Sequence, residues 1–141
     1  MKYWLFKSEP SVWSWDDQVA RGAAGEEWDG VRNYQARNFM REMAMGDRGF
    51  FYHSQSARAV VGVVEISAAA HPDSTTQDER WDCVDIRAVT PLAAPVTLAK
   101  IKTEPSLAEM ALVRNSRLSV QPVTPEEWRR ICAMGGIDPE I

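Results

Sequence analysis

Three strand-like runs follow one another through the middle of the chain, and they restrict its fold more than any other feature. Arg48 to His53 and Ala59 to Ala68 are rich in Phe, Tyr and Val, and Trp81 to Val89 alternates apolar and polar residues. The Ser54-Gln55-Ser56-Ala57 link suits a hairpin-type connection, and a polar loop around Pro72, from His71 to Arg80, precedes the third run. Gly62 stands alone inside its strand, where close backbone packing explains it. Two further strands are expected at Tyr3 to Phe6, stopped by Pro10, and at Leu118 to Val123. Ser14 with Asp17 resembles a capping box opening a short helix through Ala20. Arg21 to Gly30 reads as a surface loop. Asn33 caps a helix whose apolar positions Ala36, Phe39, Met40 and Met43 keep helical spacing up to Gly46. Thr97 and Ser106 look like caps of two short helices, Leu98 to Lys102 and Leu107 to Arg114. The sharpest local signal is Thr124-Pro125-Glu126-Glu127, which opens a helix carrying Trp128 and Ile131 and ending near Gly135-Gly136. The order β-α-α-β-β-β-α-α-β-α predicts an α+β fold, a small mixed β-barrel with flanking helices, as one domain over residues 1–141.

Composition narrows the partners. A chain of 141 residues, 45% hydrophobic with six Trp, can bury a core without staples. Its formal net charge of -4 argues against non-specific nucleic-acid binding, which runs on Lys and Arg neutralising phosphates. The charge is uneven: five Arg (32, 37, 41, 48, 58) oppose Glu42 and Asp47 between Arg32 and Arg58, whereas six acids dominate Val60 to Pro95. The plain reading is two solvated faces; the sharper one is a mildly basic face that takes a phosphate backbone through Arg32 and Arg37. Cys83 and Cys132 lie far apart, with no Cys or His at metal-ligand spacing, so both are expected as packed thiols and neither a metal nor a cofactor is expected. The N-terminus is too short and too soon charged for a signal peptide, and no apolar run approaches the roughly 18 residues of a membrane span. A cytoplasmic protein without a membrane partner is expected.

Few residues suggest catalysis. Gly22-Ala23-Ala24-Gly25 lacks the Lys-Ser/Thr of a phosphate loop, and a nucleophile pair of His53 with Ser8 or Ser54 has no elbow motif around it. The acid pairs Asp16-Asp17 and Glu26-Glu27 suit a helix start and a solvated loop. Trp28, Asn33, Tyr34, Asn38 and Tyr52 are more informative, because they lie beside or within polar connections. A nucleobase needs flat faces for stacking and amide groups for its edge, and these residue types supply both. Large core fillers with satisfied polar tips are the plainer explanation of the same residues.

Longer motifs favour the first explanation. Tyr3-Trp4-Leu5-Phe6-Lys7-Ser8-Glu9-Pro10 resembles the N-terminal signature of EVE-domain proteins. The stretch from Trp28 to Asn38 resembles that family's most characteristic segment, and Gly46 to Ser54, Gly62 to Ile66 and Arg117 to Val123 with Glu127-Trp128 resemble further blocks in order. The resemblance spans nearly the whole chain. It implies a PUA-like barrel, akin to YTH domains that hold a methylated adenine in an aromatic pocket, and an association with modified cytosines in DNA. By motif match the pocket is lined by Lys7, Ser8, Trp28, Val31, Asn33, Tyr34, Asn38, Tyr52, His53, Ser54, Ser119 and Gln121. The implied function is non-enzymatic binding of a modified nucleobase, a 5-methyl- or 5-hydroxymethylcytosine type above others. The expected partner is DNA rather than RNA, or a free modified nucleotide, with an unidentified effector protein beside it. Two alternatives stay open: a PUA-type RNA-binding or RNA-modification accessory, and a small nucleotide-binding enzyme using His53. The pocket reading requires Trp28, Asn33, Tyr52 and Ser119 to share one concavity.

Overall fold

A computed structural model describes residues 1–141. In chain order it contains β1 (Tyr3–Ser8), α1 (Trp15–Ala20), one helical turn at Gly22–Ala24, β2 (Glu26–Glu27), α2 (Tyr34–Glu42), β3 (Arg48–His53), β4 (Ala59–Pro72) and β5 (Asp82–Thr97). Then come α3 (Leu98–Lys102), a second single turn at Pro105–Leu107, α4 (Ala111–Arg114), β6 (Val120–Val123) and α5 (Pro125–Gly135). The helix starts follow from local hydrogen bonding. Ser14 Oγ accepts from the Asp17 N–H at 3.1 Å while the Asp17 carboxylate accepts from the Ser14 N–H at 2.9 Å. Thr124 and Glu127 repeat the arrangement at α5, which stops at Gly136 in the left-handed region with φ 72°.

The six strands form one sheet in the order β2-β5-β4-β3-β1-β6, with β1 and β3 parallel and every other neighbour antiparallel. Alternation along the strands sends side chains to two cores, one on each face. One face buries Leu5, Phe50, Val63 and Val96 under Ile101 of α3 and Trp128 and Ile131 of α5. The other buries Trp4, Phe6, Phe51 and Ile86 under Trp15 of α1 and Ala36 and Met40 of α2. Gly62 belongs to this second contact: a Cβ there would sit 2.5 Å from the Trp15 ring, so glycine lets the indole lie directly on the strand.

The α+β class and the mixed sheet match expectation, but the sheet is open and not a closed barrel. Its end strands β2 and β6 do not pair; β2 is two residues long, and α2 packs against β4, β5 and β6. Other elements differ in extent. β4 and β5 run on to Pro72 and Thr97 because register shifts at several points break the period-two pattern without ending the ladder, and Pro91 is accommodated opposite Gly62 beside one of them. The helix expected at Leu107 to Arg114 is only Ala111–Arg114. Within the expected loop, Glu26 and Glu27 pair with Ile86 and Asp85. Gly25 makes that approach possible, since its φ is +69° and a Cβ would come within 2.6 Å of the Ile86 carbonyl oxygen. No helix is long and apolar enough to cross a membrane.

Candidate ligand-binding cleft

A concavity of about 640 Å³ opens where β1 ends, where β2 runs into the segment after it, and where β6 begins. Its lining comprises Lys7, Ser8, Glu9, Val12, Trp13, Glu26, Glu27, Trp28, Asp29, Gly30, Val31, Arg32 and Ser119. Backbone bonds assemble these segments. The Lys7 N–H donates to the Ser119 carbonyl at 2.9 Å, and the Ser8 carbonyl accepts from the Ser54 N–H at 2.8 Å. The Ser8 hydroxyl donates to the Trp13 carbonyl and pins the turn that follows β1. On the opposite side the Trp28 N–H donates to the Val84 carbonyl at 2.8 Å.

Two indoles wall the cleft, and both are anchored from behind. Trp28 meets Phe6 and Phe51 in edge-on geometry, with centroids 5.4 and 5.8 Å away. Trp13 donates through Nε1 to Gln18 Oε1 at 2.9 Å, and the fully buried Gln18 amide donates onward to the Ile86 carbonyl. Both rings remain half-buried, with aromatic surface left for a ligand. Sequence reading missed Trp13 and Gln18. The available signal was a glutamine on the buried side of an otherwise short, polar helix.

The polar edge is rich in acceptors: Glu9, Glu26, Glu27 and Asp29 face Lys7 and Arg32. Burial, then the charges of Asp73, Glu27 and Glu26, push the Asp29 carboxyl above the usual range. Burial lowers the Lys7 ammonium, which donates to the Ser116 carbonyl at 2.8 Å. Arg32 donates to Asp73 at 3.1 Å. Burial would raise Asp73, but hydrogen bonds from Thr75, the Gly30 N–H and Arg32 outweigh it and hold the carboxyl at about 2. The site thus suits a flat heterocycle that carries amine donors on its edge.

Of the residues expected in one pocket, Lys7, Ser8, Trp28, Val31 and Ser119 line this cleft, and so does Arg32. The others lie elsewhere. Tyr52 is a correction: it follows Phe51, whose ring touches Trp28, so strand alternation turns Tyr52 to the opposite core, where it is 3% exposed. Gln121 lies on that face too, buried, donating to the Leu118 carbonyl at 2.8 Å, with its Oε1 unpartnered. Asn33 spends its side-chain oxygen capping α2, on the Ala36 N–H at 2.9 Å. Tyr34 stacks on Trp81 with centroids 4.9 Å apart, Arg37 lies 4.8 Å over the Tyr34 ring, and Asn38 accepts from Arg37 at 2.7 Å. His53 Nε2 accepts from the Trp15 N–H at 3.0 Å, and burial lowers its pKa. The Ser54 hydroxyl donates to the Ser8 carbonyl, not to His53.

Comparison with known proteins links the chain as a whole to a family. A family model described as the EVE domain matches residues 2–134. Thymocyte nuclear protein 1 of Mus musculus is 35% identical, over 97% of this chain and 75% of its own length. A solved structure from Agrobacterium tumefaciens superposes with a TM-score of 0.96 at 59% identity, covering 97% of this chain and 94% of that one. Human thymocyte nuclear protein 1 in a crystal with DNA containing 5-methylcytosine superposes with a TM-score of 0.89 at 33% identity, covering 99% of this chain and 100% of that one.

Proposed function

The chain belongs to the EVE-domain family, and on that premise we propose that its cleft takes a modified cytosine presented by DNA. The observation that carries this reading is the meeting of two indoles, Trp13 and Trp28, with a carboxylate-rich edge in one cleft. A duplex base reaches such a cleft only by leaving the stack, at a cost of a few kcal/mol. Aromatic faces restore the lost stacking, worth roughly 1–3 kcal/mol per base. Cytosine offers an exocyclic amine that a carboxylate accepts, which suits Asp29, and a 5-methyl group finds apolar surface at Val31. Likeness to the human protein crystallised with 5-methylcytosine DNA supports cytosine over other bases.

The event is binding without bond making. His53 supports this, since its Nε2 is already engaged by the Trp15 N–H and neither Ser8 nor Ser54 is hydrogen-bonded to it. Phosphate contact falls to Arg37, whose hydrogen bonds go to Asn38 and the Arg80 carbonyl and leave its charge without a carboxylate. Arg32 is instead committed to Asp73. Titration of one oligonucleotide carrying a single 5-methylcytosine tests the reading, against its unmodified twin, its RNA counterpart and the free nucleoside. Tighter binding to the modified DNA is the expected result; equal affinity for the modified and unmodified strands contradicts it.

A further inference from the structure

At the β2 end of the sheet the fold brings together three side chains that lie far apart in sequence. His71 on β4 and Cys83 on β5 are direct cross-strand partners, and Glu27 on β2 pairs with Asp85, two residues beyond Cys83. Strand periodicity therefore places Glu27, His71, Cys83 and Asp85 on one face. Cys83 Sγ lies 3.2 Å from Glu27 Oε1 and 3.9 and 4.0 Å from the two ring nitrogens of His71. One donor atom from each of the three residues falls within 4.8 Å of the others.

We propose that Glu27, His71 and Cys83 bind a divalent metal ion of the zinc type, with water in the fourth position. A thiolate, an imidazole and a carboxylate are the donors such an ion takes. Tetrahedral zinc, with bonds of about 2.3 Å to sulfur and 2.0 Å to nitrogen, sets donor separations of roughly 3.5 Å, and Cys83 Sγ keeps 3.2 Å from Glu27 and 3.9 Å from the nearer His71 nitrogen. The surroundings are those of a ligating histidine. His71 Nε2 lies 2.7 Å from Asp85 Oδ1, and Nδ1 lies 3.1 Å from the Pro72 carbonyl. A modest ring rotation turns one nitrogen to the metal while the other keeps an acceptor, as second-shell partners of metal-bound histidines do. Binding releases the thiol proton to solvent, because the thiolate is the ligand. Cross-strand register, which sequence spacing does not reveal, brings the three donors together. Glu27 also lines the neighbouring cleft, but the cobalt readout involves no nucleic acid, so the metal site stands or fails without deciding what the cleft binds.

Cobalt(II) alone, added to chelator-treated protein, tests the proposal, because a cobalt–thiolate bond gives a charge-transfer band in the near ultraviolet. The expected result is a band saturating at one equivalent and bleached by zinc. Cys132→Ser keeps it, Cys83→Ser loses it, and Asp85→Asn weakens binding roughly 10–100-fold. No band in the folded parent, or one that survives Cys83→Ser, overturns the site. His71→Asn retains the thiol and guards against misfolding of the Cys83 variant; a folded His71→Asn protein with parental cobalt affinity equally overturns it.

Discussion

The Trp13 indole donates to Gln18 Oε1 at 2.9 Å, and the same buried amide donates to the Ile86 carbonyl at 3.1 Å. One glutamine thus ties a wall of the cleft to β5 without lining the cleft itself. Gln18→Ala strips partners from two groups at once, and denaturant melts are expected to show a loss of about 1–3 kcal/mol. Affinity for modified DNA falls with it, while Asp16→Ala on the exposed side of α1 changes neither. Unaltered stability in Gln18→Ala would mean that packing alone holds Trp13.

Asp73 gives the fold an acid limit. Its carboxyl is held at about 2 against an ordinary 3.8, so the native state favours the ionised form. Because the folded value is the depressed one, the stabilisation is complete above the unfolded value and is lost as pH falls through the folded one. The difference corresponds to about 2 kcal/mol. Stability measured against pH is expected to separate the parent from Asp73→Asn near neutrality and to bring them together as pH drops toward 2. A constant gap down to the acid limit contradicts this assignment.

Arg32 and Arg37 are neighbours on the same surface with different tasks. Arg32→Ala leaves the buried Asp73 short of a partner and is expected to lower the melting temperature. Arg37→Ala spares stability but reduces the slope of log affinity against log salt by about one phosphate contact. Salt titrations and melts of both variants decide between this division and a shared phosphate role.

Asp29 is expected to trade stability against recognition. Its raised pKa means that the folded protein holds this proton more tightly than the unfolded chain, so the ionised carboxylate disfavours folding above that pKa. Asp29→Asn therefore melts higher at neutral pH, yet binds cytosine-containing DNA more weakly because a charged acceptor is lost. A variant that melts and binds like the parent shows that Asp29 does neither.

The legible parts of this chain were the local ones. The caps at Ser14, Asn33, Thr97 and Thr124 are hydrogen bonds within a few residues, and each is where the residue pattern puts it. The face of a strand was harder to read. Phe50, Phe51 and Tyr52 are all buried because both sides of the sheet are covered, so no polar alternation marks which of them faces the cleft. The residue pattern alone therefore does not separate Tyr52 from the face that carries Phe51 and Trp28. Trp13 is hard to read from sequence because its place in the cleft is set by a turn that bonds from Ser8 to its carbonyl and from its own N–H to the Glu9 carbonyl fold back. The strand at Glu26–Glu27 depends on a long-range pairing with β5 that two acidic residues do not announce.

Trp28 is the most direct test of the central claim, that the cleft stacks a modified cytosine. Affinities of the parent, Trp28→Ala and Tyr52→Phe are compared on one 5-methylcytosine oligonucleotide and its unmodified twin, with folding checked by circular dichroism. Loss of a stacking face worth roughly 1–3 kcal/mol predicts a weakening of about 5- to 150-fold for Trp28→Ala. Tyr52→Phe, in the opposite core, stays within about twofold of the parent. A folded Trp28→Ala protein that binds the modified strand as tightly as the parent contradicts the account.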